Sequence, residues 1–195
     1  MSTPIPEREV AELKAEEQRL QERYAGLEEQ NATLTTLYVA CQRLHSSLEG
    51  ADVLLMVREI IGNLIGCEQY VLFAQGPNGE LQQADSFGLE PAFCEQLWAG
   101  RGLIGHAVET GETYVRGESN GVAAAEGEAE LTACIPLKRD GTVTGAIALF
   151  RLLPQKFELV EPDRELFRLL ETHLAIALYC AELHEKAKAG RGAAA

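Results

Sequence analysis

Two runs of this chain are apolar at almost every position, 131–137 and 143–150, and they flank the dipeptide Asp140-Gly141. Asp-Gly readily takes the positive φ angles of a two-residue type I′ turn, so the segment reads as a β-hairpin. A strand with one wet face alternates apolar and polar residues, whereas a strand covered on both faces does not. The hairpin therefore belongs in the middle of a sheet with helices packed against it.

Nearer the N-terminus the period changes. After Ser2-Thr3-Pro4-Ile5-Pro6, within a segment 1–6 that reads as disordered, Leu13, Leu20, Leu27 and Leu34 recur every seventh residue. With these at d, the a positions are Val10, Glu17, Tyr24 and Asn31. Leucine at d with a lone Asn at a favours a parallel two-stranded coil in fixed register. In such a pair Glu9 would meet Lys14 of the partner subunit, and Arg23 would meet Glu28 of the partner subunit. Against it, Glu17 would face its own copy, and Gly26 costs about 1 kcal/mol of helix propensity relative to Ala. The alternative is one amphipathic helix lying on its own domain. From Leu34 the stripe widens through Leu37, Cys41, Leu44 and Leu48, as for a helix entering a multi-helix bundle. The pattern predicts a nearly continuous helix over 7–48. Its coiled coil spans 7–35, with Leu13, Leu20, Tyr24, Leu27, Asn31, Leu34 and Cys41 as dimer contacts. Cys41 would face its symmetry mate.

Glu49-Gly50-Ala51-Asp52 breaks that helix, and Asp52 suits the N-cap of the next. The following helix carries Val53, Leu54, Val57, Ile60, Ile61, Leu64 and Ile65 and closes at Gly66. Gln69 to Gln75 reads as a strand, Gly76-Pro77-Asn78-Gly79 as a turn, and Leu81 to Phe87 as a strand of mixed polarity nearer an edge. Short helices over 91–99 and 102–112, a strand over 113–116 and a polar loop over 117–130 precede the hairpin. A last helix starts at Pro162-Asp163 and holds Leu166, Phe167, Leu170, Leu174, Ile176 and Leu183. The order is helix, two strands, short helices, strand, hairpin, helix. That is an α+β domain over 36–187, a mainly antiparallel sheet with helices on its faces, followed by a disordered tail over 188–195.

Composition narrows the function. The net charge of −13 argues against unaided binding to nucleic acid or to an anionic membrane, because the basic residues are scattered among acids. No apolar run reaches the roughly twenty residues of a membrane-spanning helix. No basic segment precedes an apolar one at the N-terminus, so the expected compartment is the cytoplasm. Cys41, Cys67, Cys94, Cys134 and Cys180 form no C-x-x-C and show no histidine at ligand spacing. They read as free thiols, and no metal is predicted. No G-x-S-x-G, H-E-x-x-H or Walker-type loop is present.

From Leu34 to Ala187 the chain resembles a GAF domain with its signalling helices. The resemblance rests on the hairpin with its Pro136-Leu137 pair, Gly141 and Gly145. It rests too on Gly100-Arg101-Gly102-Leu103-Ile104-Gly105 followed by Glu109-Thr110-Gly111-Glu112, and on the entry helix from Ser46-Ser47-Leu48 to Ile65. It implies a central antiparallel sheet of about five or six strands with helices on both faces. Terminal helices would cover one face and mediate dimerisation, and a ligand-sized pocket could occupy the other. Several family signatures are missing: the Asn-Lys-Phe-Asp-Glu type of cyclic-nucleotide binders, the Cys-His of bilin-attaching members, and the cysteine cluster of free methionine sulfoxide reductases. The polar loop over 117–130 would make a poor lid for an apolar cofactor.

By this resemblance the pocket would gather Phe73, Phe87, Trp98, His106, Tyr114 and Cys134. His106 reads either as a ligand-contacting imidazole or as a partly exposed helix residue. His45, His173 and His184 lie in terminal helices without a catalytic companion, and Glu118, Glu126, Glu128 and Glu130 read as a solvated loop. The expected function is that of a non-catalytic regulatory module, a parallel homodimer facing a signalling protein. A small-molecule sensor that acts through the coil and a thiol-dependent reductase are the rivals. No cofactor is predicted.

Overall fold

The computed structural model describes residues 7–76, 78–97, 100–118 and 121–192. The chain divides into two compact units between Val39 and Ala40. The first is formed by most of a single helix, α1 (Glu7–Leu44). In it Thr33, Thr35 and Thr36 donate their hydroxyls to the carbonyls of Glu29, Asn31 and Ala32. Bonded one turn back, these β-branched residues are tolerated in mid-helix.

The second unit is built on five antiparallel strands: β1 (Cys67–Gln75), β2 (Leu81–Phe87), β3 (Tyr114–Val115), β4 (Ala133–Arg139) and β5 (Thr142–Leu152). Their order is β2-β1-β5-β4-β3, so β5 is central and the mixed-polarity β2 is an edge. At the β4–β5 turn Asp140 has φ 52° and Gly141 φ 76°, the paired positive values of a type I′ turn. Gly145 answers a second constraint. A Cβ there would lie 2.6 Å from the carbonyl oxygen of Phe73, where β1 passes. Pro136, which has no N–H to give, lies beyond the two residues of β4 that pair with β3.

Helices cover both faces. On one lie α2 (Gly50–Glu59), which runs on as a π-helical segment Ile60–Ile65, and α5 (Glu161–Gly192). Against them the sheet turns Tyr70, Leu72, Ile135, Leu137, Ile147 and Leu149, all buried. On the other face lie α3 (Pro91–Cys94) and α4 (Gly102–Thr110). The wider π-helical turn lets the sequence neighbours Ile60 and Ile61 both enter the core, and Gly66 closes it at φ 73°. At the start of α5 the carboxylate of Asp163 accepts the N–H of Val160 at 2.8 Å and pairs with Lys156 at 2.6 Å, a side chain reaching back over the first turn. The edge strand is tied to α2 by Asp85, which accepts Tyr70 Oη at 2.6 Å and both arms of Arg58.

Four expectations need correction. The first helix stops at Leu44 rather than 48, and Leu48 is exposed. Glu49, not Asp52, precedes α2. Asp52 sits in the first turn and accepts the hydroxyl of Ser47 at 2.7 Å, while Ser47 Oγ accepts the N–H of Glu49 at 3.1 Å. The helix expected over 91–99 spans Pro91–Cys94, and Trp98 and Ala99 lie outside the described residues. Helix α5 continues to Gly192, past the expected boundary at 187.

Replacing Gly145 by Ala should cost about 3 kcal/mol, because the colliding atom is backbone oxygen and cannot repack. Urea denaturation of the variant would show this as a lower midpoint at unchanged slope. An unaltered midpoint would mean that β1 and β5 do not approach so closely.

Candidate functional site

The face under α4 is where the pocket was expected. Alternation along the strands brings Val71 and Phe73 of β1, Cys134 of β4, and Ala146, Ala148 and Phe150 of β5 to this side. Leu103, Ile104 and Ala107 of α4, with Cys94, Leu97 and Leu131, complete one buried cluster. Phe93 meets Phe150 edge to face at 5.4 Å. Small residues on the sheet and large ones above it thus interlock. Of the expected pocket residues, Phe73 and Cys134 belong to this cluster and Tyr114 packs against it. His106 is half-buried on α4, where Thr110 Oγ1 donates to its carbonyl at 2.8 Å. Trp98 lies outside the described residues.

Phe87 is on the other face. It pairs across the strands with Tyr70, stacks on that ring at 6.4 Å, and lies beneath the Arg58 guanidinium at 5.8 Å. Directly paired residues point to the same side of a sheet, and Tyr70 faces α2. The register shift between Leu72 and Phe73 separates Phe87 from Phe73.

The loop above α4 holds a feature that the sequence disguises. Glu128, expected to be solvated, is 3% exposed. Its carboxylate accepts the N–H groups of Leu103 at 2.7 Å and Ile104 at 2.9 Å, the first turn of α4, and that of Ala125 at 2.7 Å. Those helix donors have no intrahelical partner, and the helix dipole favours an anion beside them. The position that would suit an anionic ligand is therefore filled by the chain itself. Gly102 makes room for it, since a Cβ there would lie 2.1 Å from Glu128 Oε2. Glu118 also has a partner, an ion pair with Arg164 at 2.8 Å.

The thiols differ in environment. Cys67, Cys94 and Cys134 are buried, and Cys41 and Cys180 are half-buried. Burial pushes the Cys134 thiol far up, with the charge of Glu128 adding to the effect, and burial likewise raises Cys67. A thiol held neutral in an apolar core is a poor nucleophile. Cys41, expected to face its own copy, has its sulfur 3.7 Å from Nδ1 of His173 on α5 of the same chain.

Two further surfaces stand out among the described residues. A cleft of about 530 Å3 opens at one end of the sheet, lined in part by Arg116, Thr132, Arg151, Lys156 and Arg164. Three of its cations are in ion pairs, Arg151 with Glu68, Lys156 with Asp163 and Arg164 with Glu118, while Arg116 donates to the carbonyls of Leu131 and Ala129. In the other unit the a and d residues of α1 stand in solvent, Leu13 at 57%, Tyr24 at 64% and Leu34 at 63% exposure. Asn31 is exposed with them. Among the described residues no helix is long and apolar enough to cross a membrane.

No protein-family model and no curated relative matches the sequence. Solved structures do match in fold. The GAF domain of an Acinetobacter phosphoenolpyruvate-protein phosphotransferase is similar at TM-score 0.58 and 21% identity, over 78% of this chain and 96% of that one. The GAF domain of the potassium sensor histidine kinase KdpD from Escherichia coli is similar at TM-score 0.52 and 16% identity, over 79% and 98%. A free methionine-R-sulfoxide reductase from Neisseria meningitidis, solved with its substrate, is similar at TM-score 0.59 and 18% identity, over 78% and 91%. The fold is that of a GAF domain, preceded by a long helix.

Two measurements probe this site. Glu128→Ala leaves three backbone donors without an acceptor and should cost about 2–4 kcal/mol, whereas Glu128→Gln keeps an acceptor oxygen and should lose roughly half as much. Equal losses would mean that the carboxylate merely fills space. Aromatic disulfide labelling of native protein should modify Cys41 and Cys180 first, with Cys67, Cys94 and Cys134 reacting only on unfolding. The raised thiols also give a sign for pH. Below the unfolded thiol pKa both states hold their protons and stability is full; above it only the unfolded state loses them, so stability falls as alkalinity increases.

Proposed function

We propose that this chain is a non-catalytic regulatory protein that works as a parallel homodimer and presents its GAF-fold domain to a signalling partner. The observation that carries this reading is the heptad seam of α1, with Leu13, Leu20, Leu27 and Leu34 exposed at one spacing on one helix. Burying a leucine contributes about 1.5–3 kcal/mol, and a second copy offers the matching seam. Asn31 would then meet its own copy at an a position, and Arg23 would reach Glu28 of the partner subunit. In the domain unit, Ile176 and Leu183 are exposed seven residues apart on α5, as for a helix bundle between copies.

Burial of Cys67, Cys94 and Cys134 supports a non-catalytic reading over the reductase chemistry of the Neisseria protein. The polar cleft at the sheet end favours one alternative, a small-molecule sensor that signals through the coil. Such a sensor works only if its ligand binds two arrangements with different affinity.

Light scattering of the purified chain at micromolar concentration should give a dimer mass. A Leu20→Pro, Leu27→Pro variant should give a monomer whose domain still melts cooperatively. A monomeric wild type would overturn the proposal. Thermal stabilisation by a nucleotide or metabolite would shift the reading to the sensor, because binding to the native state raises apparent stability.

A further inference from the structure

We propose that Cys41, His45 and His173 form a binding site for one transition-metal ion, zinc in particular. Cys41 and His45 stand four residues apart, which corrects the expectation that no cysteine has a histidine at ligand spacing. The N–H of His45 reaches the carbonyl of Cys41 at 3.3 Å. That bond closes the last turn of α1 and keeps both side chains on one face. Helix α5 sets His173 opposite them. Its Nδ1 is 3.7 Å from Cys41 Sγ and 3.1 Å from His45 Nε2. All three potential ligand atoms lie within 4.8 Å of one another.

The spacing suits a metal. Tetrahedral zinc takes nitrogen at about 2.0–2.1 Å and sulfur at about 2.3 Å, which places N and N about 3.4 Å apart and S and N about 3.6 Å apart. The two separations in the structure already match these to a few tenths of an ångström. Hydrogen bonding explains the convergence less well. An imidazole nitrogen has either one proton or one in-plane lone pair, yet His173 Nδ1 faces a thiol and a second imidazole nitrogen together. An ion between the three would be ligated by all of them. Two imidazoles and a thiolate suit zinc and its borderline neighbours, whereas magnesium and calcium prefer oxygen.

Cys41 and His173 are half-buried and His45 is exposed, so an ion has access from solvent and a fourth position is left for water. Binding would displace the thiol proton into solvent. The ion would fasten the end of α1 to the middle of α5. This site does not depend on the dimer reading.

Cobalt(II), which reports thiolate ligation optically, tests it on the full reduced chain. The expected result is a sulfur-to-cobalt charge-transfer band with tetrahedral visible bands, saturating at one ion per chain and displaced by zinc. Cys41→Ser should abolish the charge-transfer band. Loss of either histidine, in His173→Gln or His45→Gln, should weaken zinc binding about 100-fold or more, since even partners of metal ligands cost 10–100-fold. Cys180→Ser should change neither property. His45 is exposed, so its replacement keeps the test valid if a variant at His173 fails to fold. Absence of the charge-transfer band in wild type, unchanged zinc affinity in His45→Gln, or saturation at one ion per two chains would overturn the intrachain site.

Discussion

The hairpin of β4 and β5 must be buried on both faces, and most of the domain follows from that demand. Ile135, Leu137, Ile147 and Leu149 point one way, and Cys134, Ala146, Ala148 and Phe150 the other, all of them buried. Neither face can be left to water, so the sheet needs a helical layer on each side. The bulky side receives α2 and α5. The side floored by alanines and Cys134 receives α4 and the aromatic residues around it. Gly145 belongs to the same demand, because the central strand can lie this close to β1 only where it has no side chain.

That constraint was legible because it is written in local pattern. Apolar runs, an Asp-Gly turn and a seven-residue leucine repeat each lie within a short window, and each marks an element the structure contains. The failures share a different cause. Glu128 reads as solvated because its partners are backbone N–H groups, two of them more than twenty residues away, which no side-chain pattern announces. Phe87 reads as a pocket residue because strand polarity does not reveal that the register shifts between Leu72 and Phe73. The Cys41–His45 pair was within reach of sequence, since four-residue spacing on a helix is a local signal. Its meaning depends on His173, 128 residues from His45, which only the fold supplies.

A carboxylate at the first turn of α4 also changes what the domain face can be asked to do. An anionic ligand approaching those N–H groups would have to displace Glu128, losing three hydrogen bonds and placing like charges together. The loop that carries Glu128 is therefore held down by the helix end it covers. It is polar in composition but closed in geometry, and polarity alone was a poor guide to its role.

The surfaces with unmet physical demands lie elsewhere. An exposed leucine seam is a cost that a second copy of the chain would remove, and a cleft whose cations are mostly held in ion pairs offers an anionic ligand less. Helix α1 is unbroken from Glu7 to Leu44, while its stripe changes character along the way. Leu34 is exposed, whereas Ala40 and Leu44 are fully buried in the domain. One helix therefore serves both units, its early turns offering an uncovered seam and its last turn forming part of the core. Any contact that alters the packing of that last turn, such as those of Cys41 and His45 with α5, acts on the same helix that bears the seam. On the dimeric reading proposed above, the end of α1, rather than the face of the sheet, is where a signal in the domain would act on the helix that carries the leucines.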